Sequence, residues 1–393
     1  MRPTLVPLLF ALGCSPPDPT EGFTEVSLTV APDAASAEAP FVDAIDGAER
    51  ELRIALPAGE DEALADAIVR AYARGVDVQV VTDYDLAETP AVARLRAEGV
   101  PVALRDAGLA YFDFSTLVDL IFPSEMTRMD HAYVVVDGLR IVAGSTLGRT
   151  GPGTRIVVNA RGEDLVSDLL DEHRQVWGGT DAVAVDAYSA PSKSIVDPRW
   201  RYGTTTSTDL QLWFGPQERV LKRVIDAVYS ARSGVYVLTD DFANEGLARA
   251  LQTKARWGFD VQVVVGPHFG TDVGASQILE QTTPSVEKRR LLPDPAATQD
   301  EVIPTIVLID LPPDAEGYRP YTRAFVLNHD LYSAERVYRG RPIVTDQLID
   351  AAMWVWTDVD QPGAAIRDLF DVYRDHYNRA VQLGDPPQMP EAP

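Results

Sequence analysis

Short runs of apolar, β-branched residues alternate along this chain with stretches of helical periodicity. Residues 52–56 and 76–81 are typical of buried strands, and between them Ile68, Val69 and Tyr72 recur at the spacing of one helix face. Gly75 stands where the glycine that ends such a helix is expected. Alternating strands and amphipathic helices favour an α/β fold, in which mixed sheets are flanked by helices.

The same pattern occurs twice along the chain. Three blocks of the first half return in the second, and each pair is separated by the same 183 positions. The pairs are 41–45 with 224–228, 62–68 with 245–251, and 75–81 with 258–264. Residues 168–177 match 368–377 at a larger offset of 200, which indicates insertions in the second half. A repeat in constant register predicts two similar lobes.

The repeat sets the predicted domain organisation. We expect a first lobe over residues 24–179 and a second lobe over residues 209–383. Residues 180–208, which are rich in Ala, Ser, Thr and Pro, are expected to form the linker between them. Residues 1–23 are predicted to be a signal and tether, and residues 384–393 a disordered tail.

The N-terminal residues have the pattern of an export signal. Arg2 precedes an apolar run over residues 5–12, and Gly13 and Cys14 follow it. This arrangement resembles a bacterial lipoprotein signal, and the resemblance implies lipid attachment to Cys14 and a cell-envelope location at the outer membrane or periplasmic face. Cys14 is the only cysteine, so an internal disulfide is impossible. The alternative is a buried structural cysteine in a reducing compartment.

The charge of the chain argues against nucleic acid as a partner. The formal net charge is −24, from 59 acidic and 35 basic side chains. Such an excess repels a phosphate backbone and offers few cations to neutralise it. The five histidines show no metal-ligand spacing, so neither a metal nor another cofactor is expected.

Residues 129–145, MDHAYVVVDGLRIVAGS, contain two apolar strands around an Asp137-Gly138 turn, which predicts a β-hairpin. Here the chain resembles the phospholipase D superfamily, whose members carry His-x-Lys-x-x-x-x-Asp on such a hairpin, followed by Gly-Ser. The resemblance extends over about residues 25–380 and includes the duplication. It implies a two-lobed, pseudo-twofold fold in which two such motifs meet between the lobes.

The resemblance also implies roles for the motif residues. One histidine attacks phosphorus, the other protonates the leaving oxygen, and the lysines stabilise the phosphoryl charge. In this chain, Asp130 stands at the histidine position and Ala132 at the lysine position, while Asp137 and Ser145 agree with the pattern.

The second motif is expected at residues 321–328. There Tyr321, Arg323 and Asn328 replace histidine, lysine and aspartate. No confident catalytic residue remains in either motif.

We therefore expect a non-catalytic pseudoenzyme that binds a protein or small ligand at the cleft between the lobes. The alternative is a divergent phosphodiesterase or phospholipase, for which His131 and His329 are the nearest histidines. Each lies one residue beyond its motif position, which on a strand means the opposite face. A purely structural role in the envelope is a third interpretation. The apolar stretch 110–123 is either a lid or partner-binding segment, or a buried element between the lobes.

The signal makes a direct prediction about the mature chain. Because a lipoprotein signal directs cleavage before the cysteine and lipid attachment to its sulfur, the mature protein should begin at Cys14 and carry lipid. Intact-mass spectrometry of membrane-extracted protein measures this. An unmodified chain that begins at Met1 would contradict it, and a Cys14→Ser variant should lose the lipid mass.

Overall fold

The computed structural model describes most of the chain outside its termini. The described residues are 24–56, 62–83, 86–105, 128–145, 151–178, 186–187, 202–204, 208–215, 217–267, 273–280, 286–292, 299–311, 322–328, 331, 334–338, 341–345, 349–350, 352–358 and 363–382. The predictions on Cys14, Tyr321, His329 and the stretch 110–123 lie outside these residues.

Among the described residues, the first lobe forms a mixed sheet of eight strands in the order β1-β8-β7-β6-β2-β3-β4-β9. Its strands, together with a short β5 outside the sheet, are β1 Glu25–Ala31, β2 Glu51–Ala55, β3 Asp77–Asp83, β4 Val102–Arg105, β5 Arg128–Met129, β6 Tyr133–Val136, β7 Arg140–Gly144, β8 Arg155–Arg161 and β9 Asp186–Ala187. Its helices are α1 Ala34–Asp46, α2 Glu62–Ala73, α3 Pro90–Ala97 and α4 Glu163–Trp177. Strands β2, β3, β4 and β9 are parallel, and the other neighbours in the sheet are antiparallel.

The described part of the second lobe forms a mixed sheet of nine strands in the order β10-β11-β20-β16-β15-β12-β13-β14-β21. Its strands are β10 Tyr202–Gly203, β11 Thr208–Phe214, β12 Gly234–Thr239, β13 Asp260–Val265, β14 Glu287–Arg290, β15 Thr305–Ile309, β16 Arg323–Leu327, β20 Ala352–Asp358 and β21 Val381–Gln382. Strands β17 Ala334–Tyr338 and β18 Arg341–Thr345 pair with each other, and β19 Ile349–Asp350 pairs with β5. The helices are α5 Val220–Ser230, α6 Glu245–Arg256, α7 Val273–Glu280 and α8 Ala364–Arg379.

The predicted strands and helices are present, and their ends follow from local chemistry. Asp33 caps α1 by accepting a hydrogen bond from the backbone N–H of Ser36 at 2.8 Å. Gly75, with a φ of +87°, follows α2 in the left-handed conformation that a glycine adopts most easily. These features confirm the predicted α/β fold class.

Three hydrophobic cores hold the molecule together. One covers the outer face of the first sheet under α1, α2 and α3, and one covers the outer face of the second sheet. The third lies between the two sheets and contains residues of both lobes, including Tyr133, Leu169, Leu210 and Trp356. Helices α4 and α8 pack in this central core, so the lobes share one continuous apolar interior.

The predicted linker, residues 180–208, is partly built into the sheets. Strand β9 pairs with β4 at the edge of the first sheet, and β10 pairs with β11 at the edge of the second. Each supplies backbone hydrogen bonds to an edge strand that otherwise exposes unpaired N–H and C=O groups. Composition alone predicted only a connection because it does not show this pairing.

Two aspartates organise equivalent turns in the two lobes. Asp137 follows β6 and Asp310 follows β15, with φ angles of 53° and 63°. The Asp137 carboxylate accepts the backbone N–H groups of Glu49, Arg50 and Glu51 at 3.2, 2.7 and 3.0 Å. Burial opposes ionisation of Asp137, but these three donors outweigh it and hold its pKa below the ordinary value.

Asp310 makes the corresponding contacts in the second lobe. Its carboxylate accepts the backbone N–H groups of Arg232 and Ser233 at 2.6 and 2.8 Å, just before β12. Each aspartate therefore ties the end of one strand to the start of its neighbour.

Replacing either aspartate should destabilise the protein. Asp137→Ala and Asp310→Ala each leave two or more backbone donors without their acceptor, which costs about 1–3 kcal/mol for hydrogen bonds to a charged group. Urea unfolding at pH 7 measures the loss. Asp43→Ala, which removes an exposed aspartate from α1, is the matched control and should change stability by less than about 0.5 kcal/mol.

The effect of Asp137→Ala should also depend on pH. Because the folded pKa of Asp137 is depressed, its contribution is fully present above its unfolded pKa and is lost as pH falls through the folded value. The difference between the native protein and Asp137→Ala should therefore shrink on acidification below about pH 4. A constant difference from pH 7 to pH 2.5 would contradict this origin.

Candidate functional site

The segments that enter the two hairpins are each held by the opposite lobe. Strand β5, just before the first motif, pairs in parallel with β19 of the second lobe. Its Met129 N–H also donates to the carboxylate of Asp83, at the end of β3, at 2.7 Å. In the second lobe, Val302 bridges Gly153 of the first, and its N–H donates to the Pro152 carbonyl at 2.7 Å. Each hairpin therefore begins at a segment that contacts the opposite lobe.

This close approach requires a glycine at position 153. Gly153 has a φ of +125°, a conformation that side chains other than glycine rarely adopt. A Cβ atom there would lie 2.2 Å from the Val302 carbonyl oxygen, well inside van der Waals contact.

The strand register gives a different second motif from the one that the sequence predicted. In the first lobe, β6 pairs with β2 so that Val136 lies opposite Leu52. In the second lobe, Ile309 of β15 lies opposite Val235, which is 183 positions after Leu52. Strand β15 is therefore the counterpart of β6, and Asp310 is the counterpart of Asp137.

The assignment of the second motif to Tyr321, Arg323 and Asn328 was therefore wrong. Counting back from Asp310 places Ile303 at the histidine position and Thr305 at the lysine position. Arg323 begins β16, the second strand of the hairpin, and corresponds to Arg140 of β7. Asn328, just after β16, corresponds to Ser145. The chain between residues 311 and 322 separates the two strands, so no short Asp-Gly turn marks this hairpin in the sequence.

In the first motif, Asp130 and Ala132 are both buried. Ala132 packs in the outer core with Val134, on the face covered by the helices of the first lobe. Ser145 accepts a hydrogen bond from the Ile156 N–H at 3.2 Å, which fixes its hydroxyl against β8. Asp137 lies at the far end of β6, in the turn described above.

The second motif carries no charge at its two leading positions. Ile303 is buried, and Thr305 is buried with its hydroxyl 3.1 Å from that of Thr239. Asn328 accepts a hydrogen bond from the Ala352 N–H at 2.9 Å. The guanidinium of Arg323 donates to the Ser230 hydroxyl at 2.7 Å, at the end of α5, so it points into the outer layer of the second lobe.

His131 lies on the face opposite Ala132, as predicted for a residue one position past the motif. Its Nε2 lies 2.9 Å from Oε1 of Glu172 on α4, and both side chains are 0% exposed. The other Glu172 oxygen accepts a hydrogen bond from Gln217 of the second lobe at 2.8 Å. The His131 ring also meets the edge of Phe214, from β11 of the second lobe.

A second histidine lies beside this pair. The Tyr133 hydroxyl lies 3.2 Å from Nδ1 of His173, and the His173 ring stacks on Trp177. Burial, with the nearby charge of Arg53, lowers the pKa of His173 to about 3, so the ring is neutral at pH 7.

Sequence patterns did not identify Glu172 and Gln217 as partners of His131. A signal was present, because Leu165, Leu169 and Glu172 share one helical face of α4, and a carboxylate on an apolar face needs a buried partner. The partner's identity depends on packing between elements far apart in sequence.

The buried pair determines what this region can do chemically. A histidine and a carboxylate at hydrogen-bond distance can exchange a proton. Here, however, neither side chain is exposed, so a substrate has no direct access to either. The described residues contain no group of three or more acidic, histidine or cysteine side chains placed to hold a metal. Among the same residues, no helix is long and apolar enough to cross a membrane.

Breaking the buried pair should be costly. His131→Ala leaves the Glu172 carboxylate buried without its partner, which destabilises a protein by about 3–5 kcal/mol. The double variant His131→Phe with Glu172→Leu removes both polar groups, and should lose less than His131→Ala alone. Thermal and urea unfolding of the native protein, His131→Ala and the double variant measures this. A double variant at least as unstable as His131→Ala would contradict the interpretation.

Comparisons with known proteins agree with this architecture. Residues 41–146 match the family described as cardiolipin synthase, PLD-like domain, where PLD stands for phospholipase D. The chain is similar in structure to phosphatidylserine synthase from Haemophilus influenzae Rd KW20, with a TM-score of 0.60 at 11% identity, over 91% of this chain and 87% of that one. It is also similar to polyphosphate kinase from Porphyromonas gingivalis, with a TM-score of 0.54 at 12% identity, over 91% of this chain and 48% of that one. No curated protein sequence matches the chain.

At these identities the structural likenesses show the fold alone. Two mixed sheets flanked by helices, related by an internal duplication, correspond to the arrangement of phosphatidylserine synthase. Residues 41–146 are therefore similar to a phospholipase D-like domain, and the two lobes together have the duplicated fold seen in phosphatidylserine synthase.

Proposed function

We propose that this protein is a non-catalytic phospholipase D-like protein, a cell-envelope lipoprotein that binds a ligand or partner between its lobes. One observation supports the loss of catalysis above the others. At the positions of the two histidines and two lysines stand Asp130, Ala132, Ile303 and Thr305. No nucleophile of the expected type, no proton donor and no cation occupies any of the four.

The energetic consequence is large. Phosphoryl transfer needs positive charge around the phosphate, and each lost stabilising group costs about 3 kcal/mol, or about a hundredfold in rate. Asp130 adds a repulsive charge, since a carboxylate about 4 Å from a phosphate costs on the order of 4 kcal/mol at an effective dielectric near 20. Four replaced groups together remove most of the advantage of an enzyme over water.

The retained parts of the motifs support a structural use of the fold. Asp137 and Asp310 hold equivalent turns, and Ser145 and Asn328 accept backbone hydrogen bonds at equivalent places. These residues stabilise the hairpins whether or not a phosphodiester binds. The same scaffold can therefore persist without its chemistry.

The envelope location rests on the sequence. Arg2, the apolar run over residues 5–12 and Cys14 form the pattern of a lipoprotein signal. With lipid on Cys14, the acyl chains would tether the protein to a membrane, and the two lobes would face the adjoining aqueous space.

A second candidate function is a divergent phosphodiesterase that uses His131. The 2.9 Å contact between His131 and Glu172 favours it, because a carboxylate can orient and activate a histidine. The complete burial of both groups weighs against it. Activity measurements separate the two proposals.

Purified protein should show no hydrolysis above a buffer blank. The substrates are phosphatidylcholine, phosphatidylglycerol, cardiolipin and bis-nitrophenyl phosphate, each assayed from pH 5 to pH 9. The expected result follows from the four replaced motif residues. Tyr321→Phe and His131→Gln should leave that background unchanged.

Turnover of any of these substrates that disappears in folded His131→Gln would overturn the non-catalytic proposal and support the second candidate. Glutamine keeps a hydrogen-bonding side chain beside Glu172, so a loss of activity would not reflect a loss of the fold. Circular dichroism and the unfolding midpoint of the same sample provide the check.

A further inference from the structure

A groove of about 530 Å³ runs between strand β1 of the first lobe and helix α8 of the second. We call it the β1–α8 groove. Leu28 and Val30 form its apolar side, and Asp368, Asp371, Asp375 and His376 form its polar side. None of these residues belongs to either motif. The groove is therefore a separate feature of the lobe interface.

The polar side of the groove carries negative charge that is only partly neutralised. Asp371 pairs with Arg374 at 2.7 Å, and Asp375 pairs with Arg379 at 3.1 Å. Asp368 has no ion pair among the described residues. Partial burial and the neighbouring charge of Asp371 raise the pKa of Asp368, and the positive charge of Arg367 only partly offsets them. A cation in the groove would relieve this repulsion.

His376 gives an independent indication of a hydrogen-bond donor. It borders the groove and is 1% exposed. Its Nδ1 donates to the Val372 carbonyl at 2.8 Å, and burial lowers its pKa, so Nε2 carries a lone pair and no proton. Nε2 has no hydrogen-bond partner in the described part of the chain, and the nearest Glu301 oxygen, itself an acceptor, is 3.7 Å away. The Glu301 carboxylate already accepts two hydrogen bonds from Arg379, at 2.8 and 3.0 Å, so His376 Nε2 is the acceptor that lacks a donor.

The internal repeat shows how the equivalent place in the other half is filled. Asp168 on α4 corresponds to Asp368 on α8, and its carboxylate accepts a hydrogen bond from the Tyr202 hydroxyl. Tyr202 belongs to β10, an extended segment that lies antiparallel along β11 with Tyr202 opposite Leu210. The chain thus places an added strand and a donor side chain against Asp168.

By the strand registers, β1 is the counterpart of β11, because β1 pairs with β8 as β11 pairs with β20. At the start of β1, the Thr24 N–H donates to the Gly203 carbonyl of β10 at 2.9 Å. Beyond that contact, β1 ends the sheet order, and none of the described strands pairs along its outer side. An edge strand with free backbone N–H and C=O groups is a place for a further strand to add.

We propose that the β1–α8 groove binds an extended peptide segment of a partner protein, which adds to the edge of β1 and places a lysine or arginine side chain against Asp368. This inference rests on the proposed function. The backbone of the segment would bond to β1 as β10 bonds to β11. Its basic side chain would take the place that Tyr202 takes at Asp168.

The test uses the full chain and a fluorescein-labelled heptapeptide of alternating lysine and valine, followed by fluorescence anisotropy at low salt. A heptapeptide of alternating glutamate and valine is the matched probe. The lysine peptide should bind and the glutamate peptide should not. Asp368→Asn should weaken binding about fivefold, the effect of losing a partly exposed ion pair of about 1 kcal/mol.

Asp171→Asn is the matched control. Asp171 lies on α4 at the position equivalent to Asp371, is half-buried, and pairs with Arg174. The Asp171→Asn substitution removes the same charge from the molecule but not from the groove, so it should leave the affinity for the lysine peptide unchanged. An equal loss in both variants would show that net charge alone attracts the peptide, and would overturn the proposal.

A lysine peptide methylated on alternate backbone nitrogens tests the strand addition. Methylation removes the N–H donors that an edge strand needs, so binding should fall at least tenfold. Unchanged binding of the methylated peptide, or no binding of the lysine peptide, would also overturn the inference. Absence of peptide binding without hydrolysis would leave the non-catalytic proposal standing. Hydrolysis together with peptide binding would overturn the non-catalytic proposal and leave the peptide-binding inference standing.

Discussion

The arrangement of the two lobes depends on a carboxylate buried between them. Glu172 is 0% exposed, and it receives one hydrogen-bonding partner from each lobe, His131 and Gln217. A buried charge is tolerated only when its oxygens are satisfied, so sliding one lobe against the other would leave this one unpaired. The apolar central core holds the sheets together without strong directional preference. The polar contact at its edge therefore fixes one relative position.

That fixed position does not depend on the side chains at the motif positions. The hairpins begin at the lobe interface, where β5 pairs with β19 and Val302 bridges Gly153. Their turns are held by Asp137 and Asp310 through backbone donors. None of these contacts uses the side chains at positions 130, 132, 303 or 305. The residues that hold the hairpins are therefore different from those at the positions of the catalytic histidines and lysines. The fold does not require catalytic side chains at those positions.

The duplication is nearly symmetric in its strands and asymmetric at its edges. Strand β10 covers β11 and brings Tyr202 to Asp168, whereas β1 and Asp368 border a groove. A duplicated fold has two equivalent surfaces. In this protein β10 occupies the surface beside β11, whereas the equivalent surface beside β1 borders the groove.

The sequence by itself determined the repeat, the strands and helices of each half, the Asp137 hairpin and the opposite facing of His131 and Ala132. These follow from periodicity and turn chemistry, which act over a few residues. The second motif was misplaced because the chain between β15 and β16 is too long to form a marked turn. Only the pairing of Ile309 with Val235 identified Asp310 as the true counterpart of Asp137. Likewise, the contact of His131 with Glu172 joins residues 41 positions apart, and Tyr202 meets Asp168 across the lobe interface. Tertiary structure decided these contacts because they depend on which surfaces pack together, and local sequence does not encode that.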